Sequence, residues 1–133
     1  MELVSVPTAK SLDDAITATE SALQARKFSV LYHLDINEKL VEKGLPPVPP
    51  FHILEVCSAP RAREALSLNQ EVGYFLPCKV VVYEDAASHR TIIGLEPPSL
   101  IPELLQDPAL DSLAHEVEDL LHAAILEAAG EPA

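Results

Sequence analysis

The stretch CKVVVYEDAASHRTIIGLE, Cys78 to Glu96, decides how this chain is built. Two β-branched runs, CKVVVYE and RTIIGLE, flank the polar DAASH, which is the pattern of an antiparallel hairpin. Upstream, FHILEVC (Phe51 to Cys57) reads as a further strand, and APRAREALSL as a short helix with Pro60 in its first turn. The intervening NQEVGYFLP reads as a loop that turns at Gly73.

Further back, FSVLYHLD alternates as a strand, with Val30, Tyr32 and Leu34 on one face and Leu31, His33 and Asp35 on the other. DINEKLVEKG follows as a short helix, with Asp35 and Glu38 in capping-box spacing and Gly44 at its end. LPPVPP cannot be helix interior and reads as a stiff, polyproline-like connector. ELVSV reads as a first strand closed by Pro7. SLDDAITATESALQARK then makes a long helix: Ser11 and Asp14 cap it, and Leu12, Ile16, Thr19 and Leu23 form one stripe. Arg26 and Lys27 suit its negative end. Downstream of the hairpin, PPSLIPELLQ is a proline-broken connection. The last helix is capped by Asp107 with Pro108 in the first position, carries a stripe from Leu110 to Ala124, and stops at Gly130.

The order is strand, long helix, four strands with two short helices inserted, long helix. That predicts an α+β fold with a mostly antiparallel sheet and both long helices on one face. With 133 residues, the chain is expected to be a single domain, 1–133. If the helices cover one face, Leu31, Ile53, Val80, Val82 and Ile92 are expected on the other. Such a bare apolar face predicts a homodimer.

Composition excludes some functions. The formal net charge is −12, and the nine Lys and Arg form no run longer than RK, so neither nucleic acid nor an acidic membrane surface is an expected partner. No apolar run approaches the roughly 18 residues of a membrane span, and MELVSVPTAKSLDD has no basic segment followed by an apolar one. A cytoplasmic location is expected, where both cysteines stay reduced.

The candidate site lies around those cysteines. Cys57 ends a strand just before a helix, where free N–H groups and the nearby Arg61 and Arg63 favour a thiolate or a bound anion. A buried, inert thiol is the alternative. Cys78 opens the strand expected to pair with the one Cys57 closes. Direct cross-strand pairing would put the two sulfurs within about 6 Å, with Glu55 on the same face and His33 one strand over. The expected site is therefore Cys57, Cys78, His33, Glu55 and Arg61. A thiol pair separated by twenty residues lacks the tight spacing of zinc modules, so no metal and no cofactor are expected. Asp35 is accounted for as a helix cap, and His115, Asp119 and His122 as a solvated helix face. The leading expectation is a homodimeric binding or sensing module for a small or anionic ligand, through the two-cysteine site. Two other readings stand beside it: a thiol-dependent enzyme with Cys57 as nucleophile, and an interaction protein without chemistry.

The segments HLDINEKLVEKG, ILEVCSAPRAREAL and EVGYFLPCKVVVYE resemble the small bacterial proteins called domain of unknown function 302. That family has an Asp closing a strand, Cys-Asn-Pro after a strand and Leu-Pro-Cys opening the next. These fall on Asp35, on Cys57-Ser58-Ala59 and on Leu76-Pro77-Cys78; here Ser58 replaces Asn and the proline comes one residue late, at Pro60. The resemblance implies a fold like that of the TATA-binding protein and homodimers, and implies no established activity.

Overall fold

The computed structural model describes residues 3–130. Five strands form one antiparallel sheet: β1 (Val4–Thr8), β2 (Ser29–Asp35), β3 (Phe51–Cys57), β4 (Cys78–Glu84) and β5 (Thr91–Leu95), in the spatial order β1-β5-β4-β3-β2. The long helices are α1 (Leu12–Ala25) and α5 (Asp111–Ala129), with α2 (Ile36–Glu42), α3 (Ala59–Leu68) and α4 (Leu100–Leu105) as short insertions. The chain is thus the α+β protein that the residue pattern predicts.

Local chemistry sets most of the boundaries. Ser11 Oγ accepts from the Asp14 N–H at 3.2 Å and starts α1. Asp35 Oδ1 accepts from the Asn37 and Glu38 N–H groups at 3.0 and 3.4 Å and starts α2. Gly44, at φ +73°, ends that helix in the left-handed region that other residues avoid. Asn37 then clamps the connector, donating to the Val48 carbonyl at 2.7 Å and accepting from the Val48 N–H at 2.9 Å.

Four boundaries depart from expectation. Pro7 does not close β1; it sits inside it opposite Ile92, tolerated because β1 is an edge strand. Glu2, expected in this strand, lies outside the described residues. The segment around Gly73 is a 3₁₀ turn, Gln70–Phe75, rather than open loop, started by Asn69 accepting from the Glu71 N–H. Residues 100–105 form α4 in spite of Pro102, because a proline in a first turn removes no helical bond. Asp107 caps a 3₁₀ turn, Pro108–Leu110, and α5 proper begins at Asp111.

Both α1 and α5 pack on one face of the sheet. Leu54, Val56, Val80, Val82 and Ile93 are fully buried there, together with Leu23, Leu121 and Ile125 from the helices. This corrects the expected face of Val80 and Val82. CKVVVYE carries apolar residues at both parities, so alternation alone does not say which set turns inward. The helix-free face instead carries Leu34, Phe51, Ile53, Val81, Tyr83 and Ile92, all half-buried, with Phe51 and Tyr83 stacked at a ring distance of 4.8 Å.

A bulge at Leu31 breaks the parity of β2. Val30 pairs with Val56, but the next pair is Tyr32 with Glu55. Val30 and Tyr32 therefore point to opposite faces, not to the same one, while His33 and Asp35 join Val30 on the helix side.

Candidate functional site

Where β3 runs into α3, the chain lines a partly open cavity of about 60 Å³. Its sides come from distant parts of the sequence, including Phe28, Val56, Leu76, Ile101, Leu113 and Val117. The wall is almost wholly apolar. Its other side chains include Cys57, Ser58, Arg61 and Cys78, the four that carry a heteroatom.

Cys57 is the last residue of β3 and Cys78 the first of β4, and both are free and half-buried. They are not cross-strand partners. Val56 stands opposite Cys78, so the register is one residue away from the expected pairing. Cys78 accordingly packs against the helix-side core with Val56 and Val80, while Glu55 and Cys57 follow the other parity. The two thiols border the same cavity because Cys57 sits where the strand ends and the chain turns into α3. Burial pushes the Cys78 thiol up to about 11, with smaller contributions from the neighbouring Cys57 and from Glu96.

Arg61, in the first turn of α3, uses each of its three guanidinium nitrogens, through three of its five N–H donors. Its Nε and Nη2 donate to Glu116 Oε1 at 3.3 and 2.9 Å, and its Nη1 donates to the buried Ser58 hydroxyl at 3.3 Å. This pair ties α3 to α5 along the rim of the cavity.

His33 and Glu55 lie elsewhere. His33 faces the helix side near the sheet edge, where its Nε2 is 2.7 Å from His52 Nδ1 and its Nδ1 is 3.9 Å from Glu20. One imidazole donates and the other accepts, so each ring fixes the other's tautomer. Glu55 stands between Tyr32 and Lys79 on the helix-free face. Of the five residues expected in the site, the structure brings Cys57, Cys78 and Arg61 together and leaves His33 and Glu55 apart from them.

Sequence reading missed Glu116 and the α4 and α5 walls. No local signal marks them, since Arg61 and Glu116 are 55 positions apart. Asp35 is occupied as a cap, as expected. His115 bonds the Asp111 carbonyl at 2.7 Å within its own helix. Among the described residues, no group of three or more His, Cys, Asp or Glu is placed to hold a metal ion. Nor is any helix among them long and apolar enough to cross a membrane.

A five-stranded antiparallel sheet with two long helices on one face places the chain among the α+β proteins. Within that class the chain belongs to the family described as Domain of unknown function DUF302, whose model matches residues 4–128. It is similar to a crystal structure of an uncharacterized conserved protein DUF302 from Bacillus stearothermophilus. The two share 37% identity and a TM-score of 0.90, over 96% of this chain and 98% of that one. No curated protein matches the chain.

Proposed function

We propose that this protein is a homodimeric binding module whose ligand occupies the cavity at the β3–α3 junction. The observation that carries this reading is the cavity's make-up: an apolar hollow between sheet and helices, with Cys57, Cys78, Ser58 and Arg61 as its heteroatom-bearing side chains. A core normally closes such a space, because lost packing contacts are costly. An occupant restores them. The thiols then report or hold what enters.

The reading of Cys57 as an enzyme nucleophile has less support. A thiol nucleophile needs a base in reach, and among the described residues no histidine lines the cavity. His33 and His52 are bonded to each other. The dimer rests on the helix-free face. Both sheet edges are blunted, β1 by Pro7 and β2 by the bulge at Leu31, so a second copy is directed to the face rather than to an edge.

Xenon and butanone, small apolar probes, test the cavity by shifts in the methyl resonances of Val56, Leu113 and Val117. Saturable shifts are expected in the native protein, and their loss in Ala62→Phe, which fills the hollow. Absence of saturable shifts at these methyls in the native protein would refute the reading.

A further inference from the structure

We infer that Glu116 sets the ligand class of the cavity: it occupies the guanidinium of Arg61, so that the hollow admits small neutral apolar molecules and refuses carboxylates. This inference rests on the reading of the cavity as a binding site and deepens it.

Among the described residues Arg61 is the one cationic side chain in the wall, and an anionic ligand would turn to it first. None of its three guanidinium nitrogens is unengaged: two donate to one oxygen of Glu116 and the third to Ser58. Glu116 already compensates the guanidinium charge, so a ligand carboxylate brings a second negative charge beside it and gains little net attraction. The pair is partly exposed, with Arg61 at 29% and Glu116 at 53%, so it lies at the rim while the interior stays apolar.

Other features act in the same direction. A helix N-terminus can hold an anion through its free N–H groups, but Pro60 removes one of those that α3 would offer. Cys78, held protonated by burial, adds no charge to attract or repel a neutral guest. A net charge of −12 disfavours the approach of any anion. What remains favourable is contact with hydrocarbon.

The test uses butanone and propionate, which match in size and differ in charge, with xenon as a control for the cavity. Dissociation constants come from the Val56, Leu113 and Val117 methyl shifts. The native protein is expected to bind butanone at least tenfold more tightly than propionate. Glu116→Gln is expected to improve propionate binding about tenfold and leave butanone within twofold. Adding Arg61→Met to Glu116→Gln is expected to abolish the gain. Equal native affinities, an unchanged ratio in Glu116→Gln, or a gain that survives loss of Arg61 would each overturn the inference. If xenon fails to bind both proteins, the cavity reading itself falls and takes the inference with it.

Discussion

Val56, not Cys57, stands across the sheet from Cys78. That single step of register gives the two thiols different surroundings. Cys78 is drawn into the helix-side core, and Cys57 is left at the strand end beside the first turn of α3.

Unequal alkylation follows. With its thiol pushed up to about 11, Cys78 exposes only about one thiolate in a thousand at pH 8, and the thiolate is the nucleophile. Iodoacetamide at pH 8, followed by peptide mass spectrometry, should modify Cys57 well before Cys78. Cys78→Ser should keep the fast phase and Cys57→Ser should lose it. Equal rates in the two variants would contradict this account.

Stability should fall at alkaline pH through the same group. The ordinary value for the thiol is 9.0, and the fold raises it to about 11. Between these values the unfolded chain releases the proton and the folded chain keeps it. Folding stability therefore decreases as pH rises from about 9 to 11, then levels off. The two-unit shift corresponds to on the order of 2–3 kcal/mol. Denaturant midpoints measured from pH 7 to 11 should show this slope, and Cys78→Ala should flatten it. An equally steep slope in Cys78→Ala would assign the alkaline loss to other groups.

Gly94 marks a close approach between strands. A Cβ built there would lie 2.9 Å from Val81 Cγ2 and 3.3 Å from the Val4 carbonyl oxygen. Valine is stiff at χ1, so it does not simply swing away. Gly94→Ala should cost roughly 1–3 kcal/mol by overpacking. The Gly94→Ala, Val81→Ala pair should recover part of that loss in a double-mutant cycle, since the contact is local. Additive costs in the cycle would show that Val81 is not the obstacle.

The fold was legible because its signals are local. Ser11, Asp35 and Gly44 mark helix ends through bonds within three residues, and the alternating runs mark strands. The site was only half legible, for two physical reasons. Apolar residues at both parities of CKVVVYE conceal which set turns inward, and the bulge at Leu31 shifts parity without any sequence mark. The first put Val80, Val82 and Cys78 on the face opposite the expected one, and the second did the same for His33 and Asp35. The Arg61–Glu116 pair joins α3 to α5, and no pattern within a short window encodes a contact across 55 positions.

The helix-free face gives the last prediction. Ile53 and Val81 are cross-strand partners near its centre, flanked by Leu34, Tyr83 and the stacked Phe51. The half-buried apolar side chains of this face shield one another only partly, and contiguous apolar surface of this kind is characteristic of interaction sites. A twofold partner presenting the same patch would cover it, since a self-complementary surface meets itself across the axis. Light scattering at micromolar concentration should give twice the chain mass. Ile53→Lys places an ammonium in the centre of this patch and should weaken the proposed association at least tenfold, because a charge desolvated and unpaired in an interface is costly. Leu104→Lys, which alters an apolar side chain 61% exposed on α4, should leave the dimer intact. A native chain that scatters as a monomer, or equal dissociation in the two variants, would remove this face as the dimer interface.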